Sequence, residues 1–212
     1  MEDILFALAV VGYLAIAMVW PAWRLWRRHG VWPVVFSREA APGQRLLGLL
    51  SRLLFVAVVA LAALHVFLGG DALGEWRLPA AARLLGWVLL GAGTALTVLA
   101  QIQMGASWRV GIDDRPTELV TGGLFRVVRN PIFTALLVFL AGFALLAAAW
   151  WSAGLWVLTA LGLRVQVAHE EEHLRALHGA AYLDYASRVG RFIPLVGRLG
   201  PVARHPLDPG RT

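Results

Sequence analysis

At 212 residues, 59% hydrophobic and with a mean hydropathy of +0.68, the chain is too apolar for a soluble domain of its size. Soluble chains are about 45–50% apolar and about 25% charged, against 15% charged here. The absence of cysteine excludes disulfides, thiolate nucleophiles and Cys-ligated metals. The net charge of +6 is carried by arginine alone and is spread over short loops between apolar runs, which argues for membrane topology and against nucleic acid as a partner.

The expected architecture is therefore all-α: an integral membrane helical bundle with about five transmembrane helices, ending in a helical hairpin and a cytoplasmic helical tail. Apolar runs of spanning length lie at Ile4–Trp23, Leu46–Leu68, Leu84–Met104, Pro131–Ala147 and Trp150–Ala168. The chain reads as a single membrane domain. Three spans fill residues 1–104, a loop, the hairpin and an amphipathic tail fill 105–194, and residues 195–212 are irregular. Glu2 and Asp3 replace the basic start of a cleaved signal peptide, so the first run is expected to stay as a span.

Arginine counts predict the orientation. The first loop carries Arg24, Arg27, Arg28, Arg38 and Arg45, the third Arg109, Arg115, Arg126 and Arg129. The tail adds Arg175, Arg188, Arg191, Arg198, Arg204 and Arg211. In the second loop Arg77 and Arg83 are offset by Asp71 and Glu75, and the fourth loop is uncharged. The positive-inside rule then puts the N-terminus outside and the C-terminus in the cytoplasm, with the inner (cytoplasmic) membrane as the expected location.

Two polar clusters bracket the hairpin: Arg129-Asn130-Pro131-Ile132-Phe133 before it and Glu170-Glu171-Glu172 after it. A hairpin brings both clusters to one membrane surface, with Arg129 as the natural partner of the glutamates. A cation, an amide and carboxylates walled by aromatics suit a zwitterionic, cationic ligand. Taken singly, each residue has a plainer explanation: Arg129 as a snorkelling arginine, Asn130 as the cap of the fourth helix with Pro131 at its first position, Phe133 as core.

The loop leading into the site contains Gly122-Gly123, which either allows close backbone approach to a ligand or makes a simple turn. Leu119, Val120, Leu124 and Phe125 either wall a pocket or anchor the loop to lipid, and Trp108-Arg109-Val110-Gly111 is either an interfacial belt or part of the site. Arg164 and Gln166 are the strongly polar residues inside the hairpin, and an arginine so deep is expected to point into the bundle. His169, His173 and His178 lack metal-site spacing, so no metal is expected. After Ala168 the fifth helix is expected to continue to Ala181, with Gly179 a weak point, and Tyr182, Tyr185, Val189 and Phe192 to form one amphipathic face.

The run Gly122-Gly123-Leu124-Phe125-Arg126-Val127-Val128-Arg129-Asn130-Pro131-Ile132-Phe133, an apolar hairpin, Glu170-Glu171, Leu174, His178-Gly179, Tyr182, Tyr185 and Arg188–Pro194 resembles the isoprenylcysteine carboxyl methyltransferase family and its bacterial relatives. The resemblance covers about Met104–Pro194, the earlier spans matching only in being apolar. It implies a membrane methyltransferase using S-adenosyl-L-methionine, with Arg129, Asn130, Pro131 and Phe133 on the family's Arg-His-Pro-x-Tyr motif and Glu170 and Glu171 on its Glu-Glu pair. Leu119, Val120, Gly123, Leu124 and Phe125 complete the implied cofactor site, and Arg191 and Arg164 are candidates for holding an anionic acceptor. Asn130, Phe133 and His178 depart from the family's His, Tyr and Phe. The implied acceptor is hydrophobic or lipid-like, with a carboxylate, thiol or amine to be methylated. Two other classes fit the same pattern: a non-catalytic sensor or transport component, and an NADPH-dependent membrane reductase of the sterol-reductase kind.

Overall fold

A computed structural model describes residues 2–30, 42–105 and 119–200. Among these the chain is a bundle of helices without strands. Helix α1 (Glu2–Leu14) runs through a π-helical turn (Ala15–Val19) into α2 (Trp20–His29), and α3 covers Pro42–Leu68. Helix α4 (Ala80–Met104) is followed by α5 (Pro131–Leu146) and by α6 (Trp150–Arg188), which is 39 residues long. Three stretches, Glu2–Arg28, Gly48–Leu68 and Ala80–Met104, are long and apolar enough to cross a membrane. Helix α5, at 16 residues, rises about 24 Å, short of a hydrocarbon core of about 30 Å, so it needs a thinned bilayer or burial among its neighbours.

The bundle turns apolar side chains outward as well as inward. Phe67, Leu84 and Leu158 are among its most exposed residues, as expected of helices solvated by lipid. The interior is built from Phe6, Val10 and Tyr13 of α1, Val58 and Ala62 of α3, Leu90 of α4 and Phe139, Leu140 and Phe143 of α5. Tyr13 stacks flat on Phe139, centroids 3.7 Å apart.

Helices α4 and α5 share the most extensive contact, and glycine explains it. A Cβ on Gly93 would lie 2.6 Å from the backbone nitrogen of Phe139, and one on Gly142 would lie 2.6 Å from the carbonyl of Gly86. The two backbones meet almost directly, the small-residue packing that replaces hydrophobic driving force in a membrane.

Pro131 occupies the first turn of α5, where its missing N–H goes unnoticed. Asn130 precedes it, but its side chain caps nothing: Nδ2 donates to the carbonyl of Arg191 at 3.2 Å. The hairpin turn Ala147-Ala148-Ala149 is buried, and Trp76 N–H donates to the Ala148 carbonyl. Helix α6 passes beyond the apolar stretch to Arg188, broken only where Gly179 adopts φ +53°. Tyr182, Tyr185 and Val189 then pack against the bundle with Leu119, Leu174 and Leu199. The helix stops before Phe192, so that residue falls outside the expected helical face.

Candidate functional site

Glu171 is the centre of the polar end. It is 2% exposed, and three arginines surround it. Arg129 reaches its Oε1 through Nη2 at 2.7 Å and Nε at 3.2 Å. Arg191 grips both carboxylate oxygens, Nε to Oε1 at 3.0 Å and Nη2 to Oε2 at 2.6 Å. Arg175, one turn further along α6, stands 3.8 Å from Oε2. Such paired, charge-assisted contacts offset the cost of holding a carboxylate away from water.

Arg129 is itself buried, and every guanidinium N–H is committed. Besides Glu171 it donates to the backbone carbonyls of Ala186 (3.1 Å), Val189 and Gly197 (3.0 Å). It therefore ties the start of α5 to the chain that follows α6. Backbone bonds complete the tie. Arg129 N–H donates to the Gly190 carbonyl at 2.8 Å, Asn130 N–H to Arg191 at 3.2 Å, and Thr134 Oγ1 to Phe192 at 2.9 Å. A side chain at Gly190 would collide with the carbonyl of Ile193, so only glycine allows the tail to fold back so tightly.

The loop before α5 is fixed from α4. Gln103 Oε1 accepts the N–H of Leu124 at 2.8 Å, and a Cβ on Gly123 (φ +58°) would strike the Gln103 amide. The glycine is thus needed for contact with Gln103. Phe125 is buried, and its carbonyl accepts the Tyr185 hydroxyl at 2.7 Å. Leu119, Val120, Leu124 and Phe133 are half-buried around this loop. Burial, and secondarily Glu171, push the Tyr182 phenol up to about 12, so it stays protonated.

Glu170 differs from its neighbour. It is half-buried and makes no hydrogen bond or ion pair with any described residue. Crowding of the carboxyl by the surrounding protein, and then the Glu171 charge, push its pKa up to about 7. His178 also holds a buried Nε2 without a hydrogen-bond partner among the described residues.

Residues 81–181 match the family model for phospholipid methyltransferase, a family of the isoprenylcysteine carboxyl methyltransferase-like group. Through these residues the chain is similar to the membrane methyltransferases. The match covers a little under half of the chain's 212 residues. It begins a helix earlier than the motifs do, at the start of α4, and stops before the tail that closes the Glu171 network. No curated protein matches the chain.

The fold brings Arg129, Asn130, Glu171 and Arg191 together. Arg164 is not among them. Contrary to the expectation that it points into the bundle, it lies on an exposed face of α6 with no hydrogen bond or ion pair to a described residue. The reason is packing: Leu163 and Val167 take the buried positions on that stretch, leaving Arg164 the outward one. Trp108-Arg109-Val110-Gly111, Arg38, Arg115, Arg204 and Arg211 lie outside the described residues. Gln103 was missed in the sequence, where a lone glutamine at a helix end carries no signal of the loop it holds.

Proposed function

We propose that the protein transfers a methyl group from S-adenosyl-L-methionine to a hydrophobic or lipid-like acceptor at the cytoplasmic face of the inner membrane. The observation that carries this reading is the carboxyl of Glu170, without a partner among the described residues, beside the Glu171 network and within a stretch matched to a methyltransferase family.

The donor set fits such a cofactor. An ionised Glu170 suits an ammonium or a pair of ribose hydroxyls, while Leu119, Val120, Leu124, Phe125 and Phe133 supply an apolar wall. Asn130 and Pro131 complete the rim. Bound there, S-adenosyl-L-methionine supplies an electrophilic methyl group on sulfonium sulfur. Arg129 and Glu171 serve in this reading as the frame, since their hydrogen bonds are already used on each other and on the tail. Arg191 keeps one guanidinium nitrogen, Nη1, uncommitted among the described residues, which leaves it able to hold an anionic acceptor. Arg164, exposed on α6, is placed to meet a lipid-borne anion instead.

In-line methyl transfer asks the protein mainly to position and desolvate. An ionised carboxylate or thiolate acceptor needs no base. An amine must lose a proton to a base other than Glu170, whose carboxylate this reading commits to the cofactor. Calorimetry with S-adenosyl-L-methionine, S-adenosylhomocysteine and NADPH on the folded protein tests the reading. Binding of the first two is expected; binding of NADPH alone would replace it with a reductase. Labelled methyl transfer into an extract of membrane lipids then identifies the acceptor.

A further inference from the structure

A second group of cations stands apart from Glu171. Trp20, Trp23, Arg24, Arg27 and Arg28 of α2 line a cleft of about 490 Å³, with Ile102 of α4 as its other wall. Among the described residues no carboxylate lines it. The Arg24 guanidinium lies over the Trp20 indole, 5.5 Å from the ring centroid, and Arg27 lies over Trp23 at 5.1 Å. A guanidinium held over an indole face in this way keeps N–H donors for a ligand. None of the three arginines has a hydrogen bond or ion pair with a described residue. Three cations converging on one cleft repel each other unless an anion joins them.

The surroundings say which anion. Ile102, the apolar wall of the cleft, is exposed, and the arginines close Glu2–Arg28, a stretch long and apolar enough to cross a membrane. A ligand there meets basic, planar donors at one level and hydrocarbon immediately beside it. We propose that the cleft holds the phosphodiester of an anionic phospholipid, as a bound lipid separate from the methyl acceptor. The inference rests on the cleft alone and does not depend on S-adenosyl-L-methionine binding.

Occupancy has a route to the candidate site through three successive residues of α4. Gln101 Nε2 donates to the Ala17 carbonyl in the π-helical turn at 2.8 Å, Ile102 lines the cleft, and Gln103 holds Leu124. A lipid that steadies α2 against α4 steadies the loop before α5.

Native mass spectrometry of the full chain, titrated with phosphatidylglycerol or phosphatidylcholine, tests the proposal. Wild type should retain one phosphatidylglycerol in clear preference to phosphatidylcholine. Arg24→Gln/Arg27→Gln/Arg28→Gln should lose that preference by at least about tenfold, from roughly fivefold per arginine near an anionic surface. Arg126→Gln, another exposed arginine at this end of the bundle, should leave it unchanged. Should the triple glutamine variant fail to fold, Arg24→Lys/Arg27→Lys keeps the charge but loses the planar stack, and weaker retention is expected. Equal retention of the two lipids would overturn the proposal. So would an unchanged preference in either the glutamine or the lysine variant, or displacement of the lipid by an equal concentration of inorganic phosphate.

Discussion

The two ends of the bundle solve opposite electrostatic problems. At one end a carboxylate, Glu171, is ringed by arginines; at the other an imidazole, His65, is ringed by carboxylates. His65 is buried, with Nδ1 2.6 Å from Glu75 and Nε2 3.3 Å from Asp3. The Glu171 network closes on itself, since Arg129 spends its remaining donors on backbone carbonyls. The His65 cluster does not close. Asp3 is 58% exposed, and a cleft lined by Glu2, Asp71, Trp76 and Arg83 lies beside it. Charges of similar number thus make a rigid joint where backbone completes them and a soft one where solvent does.

The contrast breaks most sharply at Arg129. Arg129→Ala or Glu171→Ala leaves a buried charge alone and should destabilise by about 3–5 kcal/mol, seen as loss of the monodisperse folded peak in detergent. A paired apolar replacement, Arg129→Met with Glu171→Leu, should recover part of that loss, because the isolated charge is gone. Gly190→Ala pushes a methyl into the Ile193 carbonyl and should lower stability by about 1–3 kcal/mol, with faster proteolysis of the tail than of α5.

At the other end, Glu75→Gln removes the nearer carboxylate from His65 and should cost about 1–3 kcal/mol, measured by denaturant unfolding. Glu170 gives a pH test within the first region. Its carboxyl is raised from an ordinary 4.5 to about 7, so the folded state holds a proton that the unfolded chain has released. That contribution is fully present below about pH 4.5 and is lost as pH rises through about 7. Melting temperature should therefore fall between about pH 5 and pH 8 in wild type, and fall less in Glu170→Gln, which should be the more stable of the two at about pH 8. The smallest effect is expected for Glu2→Gln, whose bridge to Arg83 joins half-exposed partners and should be worth under about 1 kcal/mol in a double-mutant cycle.

Much of this was legible in the sequence because membranes restrict the choices. Apolar length marked the helices, and a hairpin between Asn130 and His169 was enough to pair Arg129 with Glu171. Pro131 and Gly179 marked a helix start and a break that the structure contains. What was not legible depends on irregular chain. Nothing in Arg188–Leu199 announces that its carbonyls will be captured by Arg129, since a carbonyl has no sequence signature. Arg191 was visible as a cation but not as the second grip on Glu171. The side of α6 taken by Arg164 depended on which neighbours, Leu163 and Val167, won the interior.

The order in which the chain is made gives the tail a further role. A ribosome releases Arg129, then Glu171, and only afterwards Ala186, Val189, Arg191 and Gly197. Until those last residues emerge, Arg129 and Glu171 lack part of the hydrogen bonding that surrounds their ion pair. Assembly of the polar end thus waits on Gly197, and a chain interrupted before it would carry the helices yet lack the clasp that joins them.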